Sequence, residues 1–336
     1  MEENSHGWTR YISAMNLRTL TFWRAGLLLA FACALSAPRS LRAQDLVSEA
    51  ISWFPSQITA LEFSDLSSLR ALPDYQSLRT RYLGRNLRTL EASLSRLGIR
   101  EEDVDAMVLG WQSLPKRKTQ YEGLAAGRFD AAALDHRAVA SGLTAQLVDG
   151  HKAYCLPSDP NSTCVAVIDD SLGIFGPLPV LEGMLKAHDD AGPGLASNRQ
   201  FTHLVRSAQS GDPIWGVALG VAVSQWFKAW MPAEKNLQMD WASAFSGVRS
   251  LLYHVRAGDN VHLSVTLNCT SPQSASSVRQ LLEGLKLVQQ LAWHTANPNQ
   301  PDPFQDLEVQ AANQKVSFRL TADYAALEHA GPLGQP

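Results

Sequence analysis

The sequence predicts an exported α+β protein, with antiparallel sheets carrying helices on one face and degenerate αββ repeats. Three observations point there. An apolar leader opens the chain, strand-like runs come in pairs joined by turn formers, and an Asp-x-small-small-Leu signature recurs where strand gives way to helix.

The leader is read first because it sets the compartment. Arg18 and Arg24 precede an apolar run from Ala25 to Leu35, far shorter than the ~20 residues of a spanning helix. It therefore reads as the core of a signal peptide, not as a transmembrane anchor. Cleavage is expected after Ala43, where Gln44-Asp45 opens a polar stretch, which makes residues 1–43 a signal peptide and the mature chain periplasmic or extracellular. Glu2 and Glu3 are unusual in a basic leader, so Met15 is an alternative start to Met1. Acylation would need Cys33, which lies inside the apolar run itself.

Once five of 29 basic and two of 32 acidic residues leave with the leader, the net charge is −6. Nucleic acid is thereby disfavoured as a partner, because its recognition rests on clustered Lys and Arg. About 290 residues remain, enough for one large domain or two ordinary ones. Of the three remaining cysteines, Cys155 and Cys164 flank a run dense in turn formers between two strand-like segments. In an oxidising space that arrangement predicts a disulfide closing a hairpin. Cys269 follows a strand and reads as a small core hydrophobe.

The repeated signature is Asp65-Leu66-Ser67-Ser68-Leu69, Asp130-Ala131-Ala132-Ala133-Leu134 and Asp323-Tyr324-Ala325-Ala326-Leu327. An Asp in that place accepts hydrogen bonds from the free N–H groups of a first helical turn, so the three are expected to be N-caps and not catalytic acids. Strands are then expected near 59–63, 104–111, 121–129, 144–156, 164–169, 214–219, 248–256, 261–267, 307–311 and 315–321. Leu83, Leu87, Leu90, Leu94 and Leu97 mark one helix, and Val278, Leu281, Leu282, Leu285, Val288 and Ala292 mark the longest. Shorter helices are expected at 131–141, 178–188, 201–208 and 221–230, with a last one at the end. Ala257-Gly258-Asp259-Asn260 suits a hairpin turn. The chain divides into an N-terminal αβ half at 44–188, a linker or irregular segment at 189–213, and a C-terminal αβ half at 214–330.

Phe54-Pro55-Ser56-Gln57 leading into Thr59–Asp65, together with the late run of strand, long helix and two strands, resembles the exported bacterial αβ-repeat proteins grouped as domains of unknown function. The resemblance covers two short stretches and implies a compartment and a repeat fold, with no active site to carry over.

The common signatures of zinc peptidases, serine hydrolases, P-loop enzymes and dinucleotide enzymes are missing. Ser113-Leu114-Pro115-Lys116 matches S-x-x-K but lacks its companion motifs and sits on an expected loop. Lys116-Arg117-Lys118 reads as a solvated loop tip. The histidines are dispersed, and Asp169-Asp170 would point to opposite faces of a strand, so turn and cap roles are expected of these acids. No catalytic, cofactor or metal residues are assigned. The remaining candidate is an aromatic patch, Trp226, Trp230 and Trp241, which is a docking surface if exposed and ordinary core if buried. These observations favour a non-enzymatic binding or envelope-assembly module whose partner is an envelope protein or component. An exported hydrolase without a familiar motif and a carrier of a hydrophobic ligand are the alternatives.

Overall fold

Among the described residues twelve strands form one sheet in the order β11-β12-β10-β9-β8-β1-β2-β3-β7-β6-β5-β4, antiparallel at every pairing. The structure is a computed structural model that describes residues 39–72, 74–82, 85–114, 118–156, 163–189, 194–230 and 239–329. The apolar run of the leader, Ser113–Lys116 as a motif and the 115–117 loop lie outside the described residues, whereas the expected cleavage point after Ala43 falls within the helix Arg39–Trp53. The compact unit spans Gln44–Pro336.

The N-terminal half runs through helix α1 (Arg39–Trp53), β1 (Ala60–Asp65), helices α2 (Leu66–Arg70), α3 (Tyr75–Tyr82) and α4 (Arg85–Arg96), then the hairpin β2 (Val104–Leu114) and β3 (Lys118–Gly127). Helix α5 (Ala131–Ala140), the small hairpin β4 (Gln146–Val148) and β5 (His151–Cys155), strands β6 (Thr163–Val167) and β7 (Leu172–Pro177), and helix α6 (Leu178–Asp189) complete it. The C-terminal half follows the same plan. Helix α7 (Arg199–Ala208) leads to β8 (Ile214–Leu219), helices α8 (Val221–Trp230) and α9 (Trp241–Ala244), and the hairpin β9 (Val248–Ala257) and β10 (Val261–Cys269). Helix α10 (Pro272–Ala296), the hairpin β11 (Glu308–Ala312) and β12 (Lys315–Ala322), and helix α11 (Tyr324–His329) end it.

Counting outward from the centre, β1-β2-β3-β7-β6 on one side corresponds to β8-β9-β10-β12-β11 on the other. β1 and β8 pair antiparallel at the seam, with Glu62 opposite Gly216, so the halves are related by a pseudo-twofold axis through that pair. The extra hairpin β4–β5 belongs to the N-terminal half alone.

The repeated aspartates are helix caps. Asp65 accepts from the Ser68 amide at 2.9 Å, Asp130 from the Ala133 amide at 2.8 Å, and Asp323 from the Ala326 amide at 2.5 Å. Their carboxylates satisfy orphan N–H groups where strands β1, β3 and β12 end. The disulfide also forms. Cys155 and Cys164 face each other across β5 and β6 with Cα atoms 3.8 Å apart.

One face of the sheet carries two apolar clusters. In the C-terminal half Leu251, Val265, Leu267, Val316 and Phe318 meet α8, α9 and α10 through Val223, Phe227, Phe245, Val278 and Leu282. In the N-terminal half Leu109, Ala125, Val165 and Phe175 meet α4 and α5 through Leu90, Leu97, Leu134 and Ala138. Because side chains alternate along a strand, Leu61, Phe63, Val108, Leu124, Ile174 and Val217 are buried on the opposite face. That second layer consists of α1 with Phe54 and Ile58, α6 with Leu181, Met184 and Leu185, and α7 with Phe201 and Val205. The segment 189–213, read as linker or irregular, therefore includes a covering helix.

Candidate binding surface

The second layer stops short of the C-terminal edge. α7 packs on β8 and β9, and beyond it the outward residues of the described strands are mostly polar and at least partly exposed. Register lines them up in rows. His254, Ser264 and Arg319 lie side by side, as do Arg256, His262 and Thr321, then Leu252, Thr266 and Ser317, then Ser250, Asn268 and Lys315. β11 adds Glu308, Gln310 and Ala312 opposite Arg319, Ser317 and Lys315. Arg256, His262, Lys315, Arg319 and Gln310 are exposed, Ser264, Thr266, Asn268, Ser317 and Thr321 are half-buried, and Ser250 is buried. Strand periodicity explains the composition. The alternate residues of the same strands, such as Val265 and Phe318, are the core on the other face.

Local hydrogen bonds hold this surface in place. Asn268 Nδ2 donates to Ser250 Oγ at 2.9 Å, and His262 Nδ1 lies 3.0 Å from Thr321 Oγ1. At the α7 margin Arg256 Nε donates to Asp212 Oδ1 at 2.9 Å, and His254 Nδ1 lies 3.0 Å from Ser210 Oγ and 3.4 Å from Asp212. Burial lowers the pKa of His254, and Arg256 adds to that against the opposing pull of Asp212. The result is a flat surface that offers donors and acceptors along parallel rows and suits recognition of a polar partner.

The aromatic candidates lie elsewhere, on the helix-covered face. Trp226 is half-buried and packs edge-on against Phe227 at 5.1 Å and near Tyr253 at 5.2 Å. Trp241 is half-buried and stacks with Phe245 at 6.2 Å, which in turn stacks on Phe227 at 4.1 Å. Both therefore belong to the margin of the C-terminal core cluster. The side chain of Trp230 lies outside the described residues.

Two acidic groups that the sequence does not single out are buried in the fold. The Tyr253 hydroxyl donates a hydrogen bond to the Glu62 carboxylate across the seam, and burial raises the pKa of both. Glu122 is fully buried on β3, neither carboxylate oxygen has a hydrogen-bond partner among the described residues, and burial pushes its pKa up to about 8. It is held as the neutral acid at pH 7. Asp169 turns inward on its own loop. Burial pushes its pKa up, but hydrogen bonds from Ser171 and Leu172 outweigh that and hold it below the usual range. Cys269 is buried, which raises its thiol pKa and makes it a poor nucleophile. Among the described residues no three His, Cys, Asp or Glu side chains converge as a metal site, and no helix is long and apolar enough to cross a membrane.

No family model matches the chain. No curated protein matches it either. Among solved structures, crystal form I of TP0453 aligns over 83% of this chain and 94% of that one, with a TM-score of 0.48 and 10% identity. Crystal form IV aligns over 82% and 94%, with a TM-score of 0.44 and 9% identity. Similarity at that level assigns no function, so the binding surface is judged on its own geometry.

Proposed function

We propose that this chain is an exported, non-enzymatic binding module that engages another component of the cell envelope through the open polar face of β9, β10, β12 and β11. One observation carries the reading. The same strand plan is covered on both faces in the N-terminal half, whereas among the described residues no helix covers the outer part of one face in the C-terminal half, and that part is built mostly from hydrogen-bonding side chains. Antiparallel sheets commonly present one solvated polar face, so the support for binding lies in the contrast between two halves built on one plan. Arg256, Lys315 and Arg319 supply charged donors, and Ser264, Thr266 and Ser317 supply hydroxyls. The Cys155–Cys164 bridge suits an oxidising compartment, and the resemblance to exported αβ-repeat proteins supports the same location. The hydrolase and carrier alternatives have no comparable feature among the described residues.

The test is crosslinking in cells that export the full chain. A photoreactive residue is placed at Thr266 or at Arg319, and at Ala132 on the exposed side of α5 as a control. The expected result is a shared adduct from both open-face positions and none from Ala132. Equal labelling from all three positions, or no adduct from the open face, overturns the reading.

A further inference from the structure

We propose that the second layer of the N-terminal half is a proton-held lid: α1 and α6 stay seated while the carboxyl of Glu122 beneath them keeps its proton, and they lift together as that proton leaves, with the sheet and the helices on its other face still in place. Glu122 and Leu124 alternate with Gly123 along β3, so they share the face that α1 and α6 cover. On that face the neighbouring strands bring no side chain to meet the acid. Gly110 lies opposite it on β2, and on β7 a Cβ placed at Gly176 would sit 3.4 Å from the Cα and Cβ of Glu122 itself. The carboxyl is fully buried, and neither oxygen has a hydrogen-bond partner among the described residues. A carboxylate ionised in that place would lack both water and a counter-charge.

The charged groups of the surrounding elements are Asp45 and Glu49 on α1, Glu182, Lys186, His188 and Asp189 on α6, Asp105 on β2 and Asp169 on the β6–β7 turn. None of them sets the proton affinity of Glu122, which burial alone raises. Glu49 is the competing acid within the lid, since burial and the charges of Asp169 and Asp45 raise its pKa as well.

The lid is tied together as one piece. Trp53 of α1 packs on His188 of α6 with ring centroids 4.1 Å apart, and Leu195, which follows α6 in the chain, donates its N–H to the Phe54 carbonyl at 2.6 Å. What lies beneath has its own support. The strand ladders run through the sheet, and its other face holds the separate core of Leu109, Ala125, Val165 and Phe175 with α4 and α5. In the C-terminal half the same strand plan stands with no helix over β10, β12 and β11 on this face among the described residues. Lifting the lid is therefore a smaller event than unfolding. Leu61, Val108, Leu124 and Ile174 would meet water in the lifted form, which keeps the lid shut at rest.

The direction of the response follows from the acid. Opening returns Glu122 to water, where it gives up its proton, whereas the seated form retains it to about pH 8. Opening therefore grows easier from about pH 4.5, the ordinary value for this carboxyl, to about pH 8, and levels off above. The inference stands apart from the reading of the polar face.

Hydrogen exchange followed by mass spectrometry tests it on the exported full chain with its disulfide intact, with rates corrected for the intrinsic effect of pH. The parent is compared with Glu122→Gln and Glu122→Leu, which put an amide or an apolar side chain in place of the acid, and either folded variant suffices. From pH 6 to pH 8 the parent should lose protection by at least about tenfold in α1 and α6, while α4, α5, β9 and β10 keep theirs, and neither variant should show that dependence. A parent whose α1 and α6 exchange equally at both pH values overturns the proposal. So does a rise shared by the variants, which would assign the effect to Glu49 or His188. Equal loss of protection in both halves of the sheet also overturns it, because the event is then global unfolding and not the lifting of a lid.

Discussion

The two halves of the sheet share one plan but not one fate. Each runs helix, strand, helices, hairpin, helix, hairpin, helix, and each buries one face under its middle helices. They differ in the last helix. α6 has twelve residues and buries Val180, Leu181, Met184 and Leu185, whereas α11 has six residues and packs near α3. Together with α1, α6 closes the second face of the N-terminal half, whereas in the C-terminal half α7 covers β8 and β9 and, among the described residues, no helix covers β10, β12 and β11 on that face. The difference suggests a scaffold half and a binding half made from the same unit, with the composition of the second strand face following whichever cover lies over it.

The largest test of that division is to thin the N-terminal cover. Phe54 is fully buried, and a Cβ placed on Gly110 of β2 would lie 2.9 Å from its ring, so it fills the space that this glycine leaves. Phe54→Ala should cost about 3–5 kcal/mol through lost burial and a residual cavity. Urea unfolding reads the loss directly. A cost under about 1 kcal/mol would mean that the N-terminal half is not a two-sided sandwich.

Next in size is the pH dependence expected from Glu122. Its pKa rises from 4.5 in the unfolded chain to about 8 in the fold because burial strips water from the carboxyl. Between those values the folded state holds a proton that the unfolded state has released. Stability therefore falls as pH rises from about 4.5 to about 8 and levels off above, with a total on the order of a few kcal/mol. Unfolding of the parent and of Glu122→Gln at pH 5 and pH 8 isolates the effect, since the variant should lose that part of the slope. An identical slope in both proteins would show that Glu122 is hydrated or paired in solution.

A smaller loss is expected at the N-terminal edge. The Cys155–Cys164 bridge spans nine positions in sequence, and removing it by paired Ser substitution should cost about 3 kcal/mol or less, mainly by freeing the unfolded chain. Amide exchange should quicken first in β4, β5 and β6 and leave β9, β10 and β12 unchanged, because the halves bury separate clusters on the helix-covered face.

Much of this architecture is legible in the sequence because it is local. The Asp caps, the turn at 257–260, the cysteine pair and the leucine face of α10 each lie within a few residues and depend on neighbours in the chain. What escapes reading depends on layers. β7 (Leu172-Gly173-Ile174-Phe175-Gly176-Pro177) is nearly all buried and contains two glycines and a proline, so it shows neither strand alternation nor a helical stripe. α1 carries Leu46, Val47, Ala50 and Trp53 at helical spacing, a signal available in the sequence but adjoining the leader. Glu122 stands in Tyr121-Glu122-Gly123, where a strand reading would set it toward solvent. Only the cover over β3 buries it. The open face is equally silent, because Ser264, Thr266 and Ser317 become a surface only when no helix follows them onto that side. The tryptophans show the same limit, since clustering in sequence does not distinguish a docking patch from the core margin where Trp226 and Trp241 lie.

The smallest expected change in stability is also the one that most sharpens the comparison. Ser264 and Thr266 are half-buried on the bare face, and neither is needed to close a core there. Ser264→Ala and Thr266→Ala should each shift stability by no more than about 0.5 kcal/mol, the ordinary range for surface positions. The double variant should nevertheless weaken partner capture by the open face, because two adjacent rows lose their hydroxyls while Arg256 and Arg319 remain. Thermal unfolding and crosslinking from Arg319 measure the two quantities on the same protein. If the pair destabilises the fold as a buried substitution would, some element covers this face in solution, and the division into a scaffold half and a binding half fails at the place where it is drawn.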